Sequence, residues 1–297
     1  MGGTIRPGLS GCTVGARERS IHARRRPIRF AAVLPLYDDN PVSRRPVVTL
    51  LIIAACVVAY FFWQPTPFED TVSDVRFDLR YAAIPCEILE NRPLTRAEVG
   101  ATFNLGDTNA CNIDRGQTPP FDPGKNVWLA IVTSIFLHGS LLHLGGNMLF
   151  LWIFGNNVED RLGRLGFTAF FLAGGIVATL AHVAVNRDST VPSIGASGAI
   201  AAVMGAYLIW YPNARVRTIV IFVLVDVPAK IVLGAWFVLQ FFTDPNEGVA
   251  WVAHVGGFTF GVLVGLLLRG FGDRAGPPTA RYPDPRSGDF RRFGGRY

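Results

Sequence analysis

Apolar residues along this chain come in long uninterrupted blocks, not in alternation, and the blocks set the first expectations. The run VVTLLIIAACVVAYFFW, residues 47 to 63, holds no charge. With its interfacial aromatics it is long enough for a hydrocarbon core of about 30 Å. Residues 128–154 are too long for one straight span and are interrupted by the HGS at 138–140, which predicts a short interfacial helix and then a second span over about 142–154. A third span is expected over about 165–185, a fourth over about 195–210 and a sixth over 250–268. The apolar segment 218–242 carries Asp226, Pro228 and Lys230, so its first part is expected in the interface, with span five beginning near Pro228. The predicted fold class is all-α, a polytopic membrane protein whose domain, residues 47–269, is a six-transmembrane-helix bundle.

The polar remainder falls into three pieces. Residues 1–46 are rich in Arg, Gly and Pro without apolar periodicity and read as a disordered basic tail. A transit peptide competes, because acids are scarce before Asp38, but no amphipathic helix is evident. Residues 64–127 form a long polar loop in which acids outnumber bases, and 270–297 form a second basic tail. Charge placement tests the span count, since cytoplasmic loops and flanks collect arginine. With six spans, the first tail, Arg161 and Arg164, Arg215 and Arg217, and Arg269 onward share the inner side, while the acidic loop, NRDSTVPSI and TDPNEGV lie outside. Five or seven spans would misplace one basic tail. Both termini are therefore expected in the cytoplasm, with the bundle in the cell membrane.

Composition sharpens this picture. The 297 residues are 50% hydrophobic and 17% charged, below the roughly 25% charged residues of soluble domains. The net charge of +6 is almost wholly arginine, the lysines being Lys125 and Lys230. Because the basic tails flank apolar spans, their expected partner is anionic lipid and not nucleic acid. The four cysteines show neither C-x-x-C nor zinc spacing, so no metal and no cofactor is called for. Cys86 and Cys111 share the acidic loop; in an oxidising compartment they can form one disulfide, and two free thiols are the equal alternative.

With this topology, spans two, four and six all begin on the outer side with a polar residue. His143 and Asn147, in HLGGNMLF, are four apart and share a helix face. Ser197 sits in SIGASGAIAAVMG, and His254 lies about one turn into span six. Each alone has a plain reading: a serine in GASG usually packs helices, and a histidine in an apolar helix is usually a satisfied buried group. Together they supply what acyl transfer needs. A serine hydroxyl becomes nucleophilic when a base takes its proton, and His254 is that candidate. Gly257, Gly261 and Gly265 form a stripe matching Ser197, Ala201 and Gly205, which predicts close approach of the two helices. His143, Asn147 and the Ser197 N–H at a helix start are candidate oxyanion donors. No acid lies near the outer ends, so a Ser-His dyad is expected. A soluble G-x-S-x-G hydrolase is excluded by Ala199 in the last glycine position, and a zinc protease by the absence of H-E-x-x-H.

These residues resemble the rhomboid intramembrane serine proteases. HGSLLHLGGNMLF resembles that family's H-x-x-x-N motif, GASGAIAAVMG its G-x-S-G motif and AHVGGFTFG its A-H-x-x-G-x-x-x-G motif. VEDRLG resembles its E-x-R motif, making Glu159 and Arg161 a structural pair at the inner end of span two. The resemblance, over about 46–269, implies Ser197 as nucleophile, His254 as base and His143 with Asn147 as oxyanion donors. Gly195, Gly198, Gly257 and Gly261 then serve as structural support, and transmembrane proteins as the substrates, cut near the outer interface. Ala201 departs from members that carry a tyrosine stacked on the catalytic histidine. Hydrolysis needs water, so the site must open to the outer phase, with span five and residues 242–249 as gate and cap. His138 either supports the oxyanion residues or, the favoured reading, sits at the interface, and His182 is expected as a packed or partly wetted side chain. Two other readings compete: a non-catalytic rhomboid-like binder of membrane helices, disfavoured by the retained Ser197 and His254, and a transporter, disfavoured by the absence of an inverted repeat.

Overall fold

The apolar blocks become helices because their backbones have no better partner than themselves, and the polar segments between them fold through caps, a disulfide and ion pairs. The computed structural model describes residues 33–65, 71–220, 223–243 and 250–269. The predicted tails over 1–32 and 270–297, and residues 244–249 of the predicted cap, lie outside them.

Helix α1, Val47–Val58, runs on into a π-helical turn, Ala59–Trp63. Pro46 at its N-cap has no capping side chain. Its first N–H groups are met instead by the buried Glu159, which accepts from Val48 N (2.9 Å), Thr49 N (2.7 Å) and Thr49 Oγ1 (2.8 Å). A carboxylate at a helix start is favoured by the helix dipole as well as by these bonds.

The segment expected as a polar loop is a folded unit. It contains α2 (Thr71–Tyr81), α3 (Pro85–Glu90) and α4 (Arg96–Leu105) around a small core of Leu79, Ile84, Cys86, Leu94 and Val99. Pro85 opens α3, and a Thr95–Glu98 capping box opens α4, which closes on Gly106 in the left-handed conformation (φ 75°). Cys86 and Cys111 are disulfide-bonded, with Cα atoms 5.7 Å apart, which decides between the two readings left open by the sequence. Lys125 and Glu87 form a fully buried ion pair, and the Lys125 ammonium also donates to the Ala82 carbonyl at 2.9 Å. A short helix precedes the second span, as α5, Val127–Thr133, followed by a 3-10 turn, Ser134–Phe136.

Helix α6, Leu141–Val185, contains predicted spans two and three as two arms joined at Gly163, whose φ of 70° and ψ of 169° break the helix. It is long and apolar enough to cross a membrane; the remaining apolar helices are shorter. They include α7 (Ser197–Trp210), α8 (Ala229–Gln240) and α9 (Trp251–Leu267), which start within a few residues of the predicted positions.

The fold is mostly helical but not all-α. Strands β1 (Val33–Asp38), β2 (Arg215–Val220) and β3 (Val223–Pro228) form an antiparallel sheet in the order β1-β2-β3. The first tail is thus structured in its last part, and residues 218–220 and 223–228 are strand instead of an interfacial stretch. β-branched residues alternate along β2, and Arg217 faces Asp226 across the hairpin in a bidentate pair of 2.8 and 2.9 Å. Asp38 at the end of β1 accepts hydrogen bonds from Tyr207 and from Asn157 Nδ2.

Helix α7 is the centre of the bundle, with every side chain from Gly198 to Tyr207 buried. On one side a Cβ at Gly257 would run into the Gly198 carbonyl, and one at Gly261 into the Ala202 carbonyl. On the other side Gly174 lies against Ala202, where a Cβ would meet the alanine methyl at 2.6 Å. The predicted small-residue faces are therefore in direct backbone contact, the arrangement by which helices associate when surrounding lipid removes the hydrophobic drive.

Candidate active site

Ser197 opens α7, and its approach loop is pinned on both flanks. Cys86 N donates to the Ser189 carbonyl (3.0 Å), Ser193 N to the Ala83 carbonyl (2.8 Å) and Gly195 N to the Ser134 carbonyl (2.9 Å). Gly195 has φ 125°, a conformation that side chains rarely adopt. A Cβ there would stand 2.7 and 2.8 Å from Cε1 and Nε2 of His143 and 3.7 Å from the Ser197 Oγ, so His143 and the serine hydroxyl flank the same glycine.

His143 belongs to the first turn of α6, where Ser140 caps the helix by accepting its N–H at 3.1 Å. One turn on, Asn147 is buried, and among the described residues its Nδ2 has no hydrogen-bond partner. His138 is 1% exposed, with neither ring nitrogen bonded among the described residues, and packs edge-on to His143 at 5.1 Å. It is thus part of this cluster, as the reading of His138 as a support for the oxyanion residues has it. A buried, unpaired amide donor costs about 1–3 kcal/mol unless something meets it.

The start of α7 is itself short of acceptors. Its N-cap is the fully buried Ala196, which offers no capping side chain. Its first N–H groups therefore have no side-chain cap, and the partial positive charge of the helix start attracts an anion.

His254 lies in the first turn of α9. The backbone places it level with Ser197: Gly198 abuts the Ala253 carbonyl, 3.7 Å from where its Cβ would stand. Among the described residues no hydrogen bond joins the Ser197 hydroxyl to His254. Its Nδ1 is 2.7 Å from Oε1 of Gln240, and its ring packs against Trp236 with centroids 5.7 Å apart. Both residues come from α8, and sequence reasoning missed them. The available signal was an amide closing an apolar run four residues after a tryptophan. Trp236 supplies the aromatic contact that Ala201 does not.

Gly195 lies beside His143, and Gly198, Gly257 and Gly261 lie along the α7–α9 contact. Glu159 and Arg161 lie in α6 just before the break at Gly163 but serve different neighbours. Glu159 holds α1, while Arg161 donates to the Arg269 carbonyl (3.0 Å) and lies over Trp210 at 4.9 Å. His182 packs near Asn186, as expected, with Nδ1 3.2 Å from its amide nitrogen. Cys86, Glu98 and Cys111 converge, but both sulfurs are consumed by the disulfide.

The helical core, with its three motif-bearing helix starts, defines a rhomboid-type bundle. Residues 125–271 match the Rhomboid domain, and the chain belongs to the rhomboid family. It is 32% identical over 152 residues to Rhomboid protein 1, mitochondrial, of Saccharomyces cerevisiae, a match covering 47% of this chain and 42% of that protein. It is 33% identical over 145 residues to Presenilin-associated rhomboid-like protein A, mitochondrial, of Danio rerio, covering 46% and 37%. Over 81 residues it is 41% identical to Rhomboid protease GluP of Bacillus subtilis, covering 27% and 15%. The matches span less than half the length of each of these relatives.

Proposed function

We propose that the chain is an intramembrane serine endopeptidase that hydrolyses peptide bonds in or near transmembrane helices of membrane proteins. The Ser197 hydroxyl attacks the scissile carbonyl carbon while His254 takes its proton through Nε2. The carbonyl oxygen becomes an oxyanion met by Asn147 Nδ2, His143 and the Ser197 N–H. Collapse breaks the C–N bond, the proton passes from His254 to the leaving amine, and water, activated by the same base, releases the acyl group and restores Ser197. No cofactor takes part.

The observation that carries this reading is the uncapped, buried start of α7, flanked by His143 and accompanied by the unpaired Asn147 amide. An unpaired buried amide donor and a helix start without a side-chain cap, both beside His143, suit an anion that exists only during the reaction. One relative is named a protease. The six apolar helical segments, counting the two arms of α6, cross the membrane with the basic ends inside and the disulfide-bonded unit outside. The relatives named as mitochondrial widen the choice of membrane from a cell membrane to a mitochondrial one.

The test is cleavage of a panel of single-span substrates in detergent by wild type, Ser197→Ala and His254→Ala. Both variants are expected to be inactive, and wild-type rates in both would remove the assignment. The absence of a direct Ser197–His254 hydrogen bond favours one rival, a rhomboid-like protein that binds membrane helices without cutting them. Labelling of Ser197 by a fluorophosphonate, abolished in His254→Ala, separates the two.

A further inference from the structure

The base of the proposed dyad has a partner that no motif names. Gln240 is the last residue of α8, buried at 7% exposure, and its amide is fixed at both ends. Its Nε2 donates to the Trp236 carbonyl one turn back (2.9 Å), and its Oε1 lies 2.7 Å from Nδ1 of His254. An amide oxygen only accepts, and the amide nitrogen is already committed to a carbonyl, so the proton between Gln240 and His254 sits on Nδ1. That leaves Nε2, the other ring nitrogen, with a free lone pair. A neutral imidazole has one donor and one acceptor nitrogen, and a base works only when the acceptor faces the hydroxyl it deprotonates.

We propose that Gln240 is the positioning residue of the dyad: it holds His254 in the tautomer whose Nε2 lone pair faces Ser197, while Trp236 fixes the plane of the ring. The inference rests on the protease reading above and deepens it. It also answers the two gaps the sequence left, the missing third residue and the missing tyrosine at Ala201. Both functions have moved to α8, with the amide taking the orienting role and the indole the packing role. Unlike a carboxylate, Gln240 carries no charge, so it orients the imidazole without adding the electrostatic stabilisation an acid would give the imidazolium. The other titratable groups facing His254 are His143 and His182, both on α6. Neither competes for Nδ1, which Gln240 occupies.

The experiment uses the full chain in detergent micelles with wild type, Gln240→Leu, Gln240→Glu and His254→Ala. It reads kcat and KM on a single-span reporter substrate, the rate of fluorophosphonate labelling of Ser197, and the pH profile of both. Gln240→Leu keeps the volume and removes the acceptor. It is expected to lower kcat and the labelling rate together by about 10–100-fold, by analogy with the loss when the partner that orients a metal-ligating histidine is removed, with KM within about twofold of wild type. Gln240→Glu restores the acceptor and adds charge. It is expected to recover most of the lost labelling and to move the acid limb of the profile to higher pH, because a carboxylate favours the protonated imidazole. A merely structural latch would give a different pattern: Gln240→Leu would loosen α8 and leave labelling unchanged or faster, and either result overturns the proposal. Should Gln240→Leu fail to fold, the 15N spectrum of His254 in wild type decides, a protonated Nε2 being the overturning outcome. His254→Ala separates the two readings. If it is inert while Gln240→Leu is fully active, only the role of Gln240 falls; if it labels as fast as wild type, there is no base to position and both fall.

Discussion

Between α1 and α5 the chain is fastened by a disulfide, a capping box and a buried ion pair, whereas α7 and α9 meet through glycines and backbone carbonyls. The two regions solve the same problem with different means because their surroundings differ. The outer unit buries only a few apolar side chains, too small a core to hold three short helices, so covalent and charged links supply the rest. The bundle has apolar surface everywhere, including Leu142, Leu165 and Phe62, each more than 80% exposed and suited to lipid. There hydrophobicity cannot tell one neighbour from another, and shape at the backbone decides which helices touch. The outer unit should therefore be sensitive to charge and redox state, and the bundle to single methyl groups.

The largest expected effect attacks the ion pair. Burial pushes the Glu87 carboxyl above its usual range and pulls the Lys125 ammonium below its own, and each is held charged by the other. Lys125→Met leaves Glu87 buried without its cation and should cost about 3–5 kcal/mol, while the double variant with Glu87→Leu should recover most of it. Thermal melting in detergent, with limited proteolysis of residues 71–120, reads both. Cys86→Ser opens a loop closed across 25 residues and should cost about 2–4 kcal/mol, confined to that same unit in hydrogen exchange. In the bundle, Gly261→Ala places a methyl against the Ala202 carbonyl, which cannot move aside as a side chain would. About 1–3 kcal/mol is expected. Gly145→Ala, where nothing lies within 4 Å, should be neutral or slightly stabilising, and equal effects at the two glycines would erase the contrast drawn here.

A separate effect in the disulfide-bonded unit is a pH dependence. Asp78 is raised to about 6 from 3.8, first by burial and then by Asp74. The folded unit thus binds this proton more tightly than the unfolded chain, so the stability it contributes is full below about 4 and is lost as pH rises through about 6. Asp78→Asn should flatten that fall, raising Tm at pH 7 relative to wild type more than at pH 4. An unchanged pH profile of Tm would remove Asp78 from the account.

What the sequence made legible follows from the range over which each feature is encoded. Helix starts at Val47, Ser197 and Trp251 are local, and hydropathy with glycine spacing locates them within a few residues. The sheet is not, because β1 finds its partner about 180 residues away and each strand alone is a short apolar run indistinguishable from the edge of a span. The outer helices were hidden by acidic composition, although the Thr95–Glu98 capping box marked one of them. Gln240 was missed because a single amide in an apolar helix has no motif; only the packing of α8 on α9 gives it a partner.

The small sheet also ties together parts of the chain that the bundle keeps apart. β1 leads into α1, and the β2–β3 hairpin, arriving from α7, delivers α8. The first helix and the helix that carries Gln240 therefore stand on one footing, sealed by Asp38 against Tyr207. A pull on the amino-terminal segment would be felt first at the root of α8, on the opposite side of the molecule from the serine.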